Sequence, residues 1–193
     1  MVIRLATRTD IDAIATLEAR EWQAELAPGQ RGGMMTGQSF SRQQLDELIR
    51  QHWLLLAEVD GEIAGYVIAG RWSFYEDWPL YRHLLRRLET DRFEVDCFET
   101  GKGIVSVSNS CQYGPIWIAP SQRGTGLFAE LVAELKALVA PQYPYMVTFI
   151  AEENERSFAA HTQKGGMQVL DFFEFDGRGY YLLAVSTTQS LRG

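Results

Sequence analysis

Residues 127–140, LFAELVAELKALVA, have the length of a helix and almost no polar face. A helix that is apolar nearly all round has to be covered on most of its surface, so the chain must supply a sheet for it to lie against. Its neighbours provide one: YGPIWIA (113–119) precedes it and YMVTFIA (145–151) follows it, both dense in apolar, strand-favouring residues. Pro141 ends the helix between them. Strand, helix and strand in succession define an α/β arrangement. With 46% hydrophobic and 12% aromatic residues in a chain of 193, the core needs no disulfide or metal staple.

The rest of the chain falls into the same class. VIRLA (2–6) reads as a short strand, and Thr7 or Thr9 caps a helix with Asp10 and Asp12 in its first turn and Ile11, Ile14 and Leu17 on one face. Residues 21–40 are glycine-rich and without period, which predicts a loop. Ser41 and Gln44 form a capping box for a helix carrying Leu45, Leu48 and Ile49. WLLLAEV and EIAGYVIAG flank Asp60-Gly61, and MQVLDFFEF and YYLLAV flank Asp176-Gly177, so both pairs read as hairpins. Between them an insert, 72–112, holds a helix capped by Asp77 and opened by Pro79, then the strands FEVDCF and GIVSVSNSC. The order β-α-α-β-β, insert, β-α-β-α-β-β predicts one mixed α/β domain over 1–193.

A net charge of −7 argues against nucleic acid as a partner, because phosphate neutralisation needs a basic face. Cys97 and Cys111 stand alone, with no CxxC and no histidine at matching spacing, so no metal site is expected and a reducing compartment fits. Cys111 reads as a core residue. Arg4, Arg8 and Asp10 interrupt the N-terminus before an apolar run forms, and no run is long enough to span a bilayer, which together predict a cytoplasmic protein without a membrane partner.

The chemistry concentrates at the hinge between strand and apolar helix, IWIAPSQRGTGLFAEL (116–131). Gly124 and Gly126 let the backbone turn without Cβ atoms. The unpaired N–H groups of the first helical turn then point to one place, beside the charge of Arg123. Such a turn receives a phosphate or pyrophosphate. Gly124-Thr-Gly126-Leu-Phe-Ala129 also satisfies the dinucleotide fingerprint GxGxxG/A, the mark of an NAD(P)-binding oxidoreductase. Against that reading, Pro120-Ser-Gln-Arg123 separates the glycines from the strand, and an antiparallel hairpin precedes them.

The same run resembles the acyl-CoA signature of the GNAT N-acetyltransferase superfamily: an apolar strand, a proline, then Arg/Gln-x-x-Gly-x-Gly/Ala opening a helix. Arg123, Gly124 and Gly126 match, while Phe128 stands where that family has a small residue. IRLATRTDIDAIATL (3–17), LLLAEVDGEIAGYVIA and Asn154-Glu-Arg-Ser157 with His161 and Gly166-Met167 resemble further segments of the family in the same order. Residues 21–52 and 72–112 have no counterpart.

The resemblance implies a mostly antiparallel sheet with a parallel fourth and fifth strand pair and helices on both faces. It implies acetyl-CoA as cosubstrate, lying in an opening between those two strands. Ile116 and Ile118 would then pair with the pantetheine arm, and the backbone of Arg123, Gly124, Thr125, Gly126, Leu127 and Phe128 would hold the pyrophosphate. Asn154, with Ser157, would hydrogen-bond the arm. The implied reaction is direct attack of a small-molecule or peptide amine on the thioester. His161 falls where the family often has an acid, and it reads equally well as a histidine packed beside the cofactor. Tyr113 and the strand carboxylates Glu94, Asp96 and Glu99 are candidates for managing the amine proton. The aromatic insert, with Trp72, Phe74, Tyr75, Trp78 and Tyr81, either walls an acceptor pocket, covers a homodimer interface or packs on the sheet. Arg82, Arg86 and Arg87 either meet a CoA phosphate or are solvated. Residues 27–38 are a candidate lid. A non-catalytic acyl-CoA-binding module of the same fold is the alternative.

Overall fold

A computed structural model describes residues 1–25, 39–97 and 101–188. Residues 26–38 of the predicted 21–40 loop, which include the candidate lid 27–38, and Glu99 therefore lie outside the described residues. Seven strands form the main sheet in the order β1-β2-β3-β6-β7-β9-β8. They are β1 (Val2–Leu5), β2 (Trp53–Val59), β3 (Glu62–Gly70), β6 (Ser110–Ile118), β7 (Tyr145–Ala151), β8 (Gln168–Phe175) and β9 (Arg178–Ser186). All pairings are antiparallel except β6 with β7. The two remaining strands, β4 (Phe93–Cys97) and β5 (Gly101–Val105), pair only with each other.

Strand alternation sends side chains to two cores. Leu54, Leu56, Tyr66, Ile68, Trp117, Val147 and Phe149 face α1 (Ile11–Glu25), α2 (Arg42–Gln51), α3 (Trp72–Tyr75) and α4 (Pro79–Thr90). Leu55, Val67, Ala69, Met146 and Val185 face Leu127, Leu131, Leu135 and Val139 of α5 (Leu127–Val139). Because both faces are covered, β2 and β3 read as almost unbroken apolar runs. Each buried leucine contributes roughly 1.5–3 kcal/mol. Among the described residues no helix is long and apolar enough to cross a membrane.

Local chemistry explains the boundaries. The Asp60-Gly61 and Asp176-Gly177 turns have positive φ at both positions, 52° and 81°, and 50° and 74°. Ser41 Oγ accepts from the Gln44 N–H, and Gln44 Oε1 accepts from the Ser41 N–H, closing the expected box. The Arg4 guanidinium donates to both Asp10 oxygens at 2.8 and 2.9 Å and to Glu58 at 2.5 Å, which ties β1 to the start of α1 and to β2.

Three boundaries differ from the sequence reading. Helix α1 is described through Glu25, since Glu21, Trp22, Gln23 and Ala24 include no helix breaker, so the first residues of the predicted 21–40 loop are helical. Trp78, not Asp77, occupies the N-cap before Pro79. GIVSVSNSC is not one strand: β5 ends at Val105, a short turn spans Val107–Asn109, and β6 begins at Ser110. The insert aromatics Trp72, Phe74, Tyr75 and Tyr81 are buried in the core beneath the sheet, so packing is their observed role. Of the insert arginines, Arg87 pairs with Asp91 and Asp171 and Arg82 bonds the Glu76 carbonyl.

The β4–β5 hairpin docks beside the main sheet by burying Phe93, Val95 and Val105 in the core, and a side chain of β8 bridges to its backbone. Gln168, the first residue of β8, accepts the Asp96 N–H on its amide oxygen at 2.9 Å and donates its amide N–H to the Asp96 carbonyl at 3.1 Å. Elsewhere space is tight: a Cβ on Gly70 would lie 2.9 Å from the Tyr75 ring. Gly70→Ala is therefore expected to cost about 1–3 kcal/mol by overpacking, measured as the shift in urea unfolding free energy.

Candidate functional site

The parallel pair β6–β7 is held by three rungs only, Ser110↔Tyr145, Cys111↔Met146 and Gln112↔Val147. Beyond them β6 stays with β3 and β7 stays with β9, so the sheet divides. The cause lies in β6. Val67 pairs with Ile116 and Ala69 with Tyr113, which leaves one extra residue on β6, a bulge containing Gly114 at φ 102° and Pro115. A bulge bends its strand away from the partner, and here glycine permits the backbone that does so.

The bulge also sets which main-chain groups face the opening. The Ala119 N–H donates to the Ala64 carbonyl across the β3–β6 ladder. In an antiparallel pair hydrogen-bonded positions alternate, so Trp117 also faces β3 while Ile116 and Ile118 turn their N–H and C=O away from it. The Ile118 carbonyl accepts from Arg123 Nε at 3.2 Å, which draws the guanidinium over the mouth of the opening.

A cavity of about 380 Å³ occupies the division. On one side are Ile116, Trp117 and Ile118, and at its top the turn with Arg123, Gly124 and Gly126. Phe128 and Ala129 contribute from the first turn of α5. Gly126 is the N-cap of α5 at φ 96° and offers no side chain to the first-turn donors. A Cβ on Gly124 would meet nothing within 4 Å, and one on Gly126 only a Glu130 oxygen at 4.0 Å. The turn is thus an open cradle whose N–H groups, with the helix dipole, suit an anion.

The far wall is α6 (Glu155–Gln163) and its flanks, with Asn154, Arg156, Ser157, His161 and Lys164. Asn154 caps α6, its Oδ1 accepting from the Ser157 N–H at 3.2 Å. Arg156 and Lys164 escaped the sequence reading, although Asn154, Ser157, His161 and Lys164 follow a 3-4-3 spacing that places them on one helical face. With Arg123 they give this side three cations around a cavity that fits a polyanion.

Of the residues expected from sequence, the cavity gathers Ile116, Ile118, Arg123, Gly124, Gly126, Phe128, Asn154, Ser157 and His161. Thr125 turns its hydroxyl to the Gln122 carbonyl at 2.7 Å, and the Leu127 side chain is buried in the α5 core. Tyr113 lies next to the cavity, fully buried, its hydroxyl without a hydrogen-bond partner and its pKa pushed up by burial. Glu94 lies elsewhere, on the β4–β5 hairpin, held by Arg92 at 3.1 Å and Lys102 at 3.5 Å. Asp96 sits on the same hairpin. Burial pushes the Cys111 thiol up to about 12, as a core cysteine requires.

His161 has a defined proton inventory. It is 4% exposed, and Nδ1 lies 2.7 Å from the Ser157 carbonyl, an acceptor, so Nδ1 carries the hydrogen. Its ring meets Phe128 and Tyr113 edge-on at 5.0 and 5.4 Å. Burial lowers its pKa to about 4, so at neutral pH the ring is neutral and Nε2 holds a lone pair. In this form the Nδ1 hydrogen is committed to the Ser157 carbonyl and Nε2 is an acceptor.

These side chains stand in a fold shared with known enzymes. No protein-family model matches the chain, and no curated protein sequence matches it. Solved structures do match over nearly the whole length, and they define the fold as that of the GNAT acetyltransferases. The putative acetyltransferase yncA of Salmonella typhimurium, solved with its cofactor acetyl-CoA, superposes with a TM-score of 0.63 at 16% identity, covering 100% of this chain and 97% of that one. Ribosomal-protein-alanine N-acetyltransferase of Brucella melitensis gives 0.63 at 18% identity, over 96% and 99%. A putative phosphinothricin N-acetyltransferase gives 0.60 at 16%, over 97% and 99%.

The buried histidines carry a pH signature. His52, whose Nδ1 accepts the Arg71 N–H, is lowered to about 4 by burial, like His161. Between about pH 4 and the ordinary 6.5 the folded chain binds fewer protons at these rings than the unfolded chain. Their contribution to stability is therefore full above pH 6.5 and is lost as pH falls towards 4. Glu18, raised by burial, acts in the opposite direction, so the informative quantity is a difference. His52→Gln is expected to reduce proton uptake on unfolding at pH 5 by about one, read from the pH slope of unfolding free energy.

Proposed function

We propose that this chain is an acyl-CoA-dependent N-acyltransferase that moves an acetyl group from acetyl-CoA to a primary amine. The supporting observation is the coincidence, in one cavity, of outward-facing β6 backbone with an open glycine cradle at the start of α5. In this reading the pantetheine arm lies along β6 as an added strand, bonded by Ile116 and Ile118. The first-turn N–H groups around Gly126, Leu127 and Phe128, with Arg123, hold the pyrophosphate. Asn154 and Ser157 flank the arm from α6, and His161 packs against it as a neutral ring.

The chain's own groups suffice for the transfer. Outward N–H groups of β6 near the bulge polarise the thioester carbonyl as negative charge develops on its oxygen. The amine must attack as a free base, and the nitrogen that becomes an amide sheds a proton that the departing thiolate can take. No dedicated acid at position 161 is needed. Tyr113 presents a protonated phenol beside the same region.

A second reading is a non-catalytic acyl-CoA-binding module, favoured by the protonation state of His161. The NAD(P) reading is disfavoured, because the strand before the glycines runs antiparallel to β3 and Pro120–Gln122 intervenes as a separate turn. One experiment separates the three: thermal melts with acetyl-CoA, NAD and NADP, followed by CoA release over an amine panel. Saturation at about 100 times the dissociation constant adds about 2.7 kcal/mol of stability. A shift with acetyl-CoA alone and amine-dependent CoA release are expected. A shift with a dinucleotide alone would overturn the proposal.

Gly126 gives a sharper test. Gly126→Asn tolerates positive φ and is expected to keep acetyl-CoA binding within about tenfold. Gly126→Asp places a carboxylate of similar shape against the pyrophosphate and is expected to abolish binding in calorimetric titration.

A further inference from the structure

The cavity has a second, chemically different end. Its lining includes Glu21 of α1, a helix on the face of the sheet opposite to α5. One helical turn earlier, on the same face, lies Glu18, which is 1% exposed. Its oxygens accept the Phe40 N–H and the Tyr66 hydroxyl, each at 3.0 Å, and neither partner is a cation. Among the described residues no Lys, Arg or His pairs with it. Removing a carboxylate from water without a cation is unfavourable, and burial raises the pKa of Glu18 accordingly. The only cation on Glu21 among the described residues is Arg20, at 3.5 Å and largely exposed, a pair that water screens.

Two orphaned atoms belong to the same side of the sheet. The Tyr66 ring that holds Glu18 stacks on Trp117 at 6.2 Å, and Trp117 lines the cavity with its buried indole Nε1 unpartnered. Gln112 stands on the last rung before the strands part, and its buried Oε1 is also unpartnered. Of these groups the Glu21 carboxylate and the Trp117 ring line the cavity, while Glu18 and the Gln112 amide oxygen are buried in the protein. A ligand rich in N–H donors and carrying positive charge complements the Glu21 carboxylate, and a ligand with a carboxylate beside its amine is repelled.

We propose that the α1 side of the division is the acceptor subsite, and that it takes a primary amine as its ammonium, without an adjacent carboxylate, on Glu21 backed by Glu18. This rests on the acetyl-CoA reading above. The ammonium gives one proton to the Glu21 carboxylate, which returns it to solvent. The nitrogen lone pair forms the bond to the thioester carbonyl carbon, and the carbon–sulfur bond breaks with its electron pair on sulfur. A second proton passes from nitrogen to the thiolate, leaving an amide and CoA thiol.

The test begins with acetyl-CoA binding to the wild-type chain, then measures CoA release with four acceptors: putrescine, an alanine-terminated peptide amide, alaninamide and alanine. Alaninamide and alanine share an amine and differ in the carboxylate. The expected results are at least a roughly tenfold higher kcat/KM for alaninamide than for alanine, and a rise of about tenfold in amine KM in Glu21→Gln. The KM for acetyl-CoA should stay within about twofold, a split that general damage to α1 would not produce. Glu21 is partly exposed, so this variant tests the subsite even where Glu18→Gln fails to fold. The putrescine and peptide arms show whether the ammonium comes from a small amine or a polypeptide terminus. Alanine used as well as alaninamide, an unchanged amine KM in Glu21→Gln, or acetyl-CoA binding with none of the four acceptors consumed would overturn the subsite and leave the acetyl-CoA reading intact. Absence of acetyl-CoA binding would overturn both.

Discussion

Everything at this site depends on a ladder that stops. Parallel strands would ordinarily continue pairing for their full length, since each lost rung leaves main-chain donors and acceptors without protein partners. Here β6 and β7 part after Gln112↔Val147, because the Gly114 bulge turns β6 aside while β3 and β9 keep hold of the outer edges. Both strands remain anchored on one side, so the opening is built into a rigid sheet. A ligand with its own amide groups can then complete the interrupted pairing.

Around that opening the chain divides its charges by element. Arg123, Arg156 and Lys164 come from the turn and α6, whereas Glu18 and Glu21 come from α1 on the other face of the sheet. The α5 N-terminus adds partial positive charge to the first group. Aromatic rings pack along the same opening: Trp117 stacks on Tyr66, and His161 meets Phe128 and Tyr113 edge-on.

How far the sequence carried this reading depended on the range of each interaction. Turns at Asp60-Gly61 and Asp176-Gly177, the Ser41–Gln44 box and the apolar α5 are local, so their residues announce them. The glycine cradle was legible for the same reason, as was the face carrying Asn154, Ser157 and His161. What could not be read depends on contacts between distant segments. Glu94 looks like a strand carboxylate near the site, but its strand pairs only with β5, in a separate sheet. The insert aromatics resemble a pocket wall until Tyr75 is seen filling the space over Gly70. Glu18 gave no signal at all, because its meaning comes from Phe40 and Tyr66, 22 and 48 residues away.

The bridge made by Gln168 has a consequence for how the molecule behaves among its copies. β8 is the outer strand of the main sheet, and Val169 and Phe172 are 47% and 43% exposed on it. An outer strand with apolar side chains invites another strand to pair with it. The primary amide of Gln168 has the donor and acceptor of a peptide group but no chain beyond it. It holds the Asp96 backbone alongside β8 for one residue and gives the hairpin no register in which to continue. The neighbouring hairpin thereby stands guard at the start of the edge without prolonging the sheet, and self-association through β8 is hindered by a piece of the same chain.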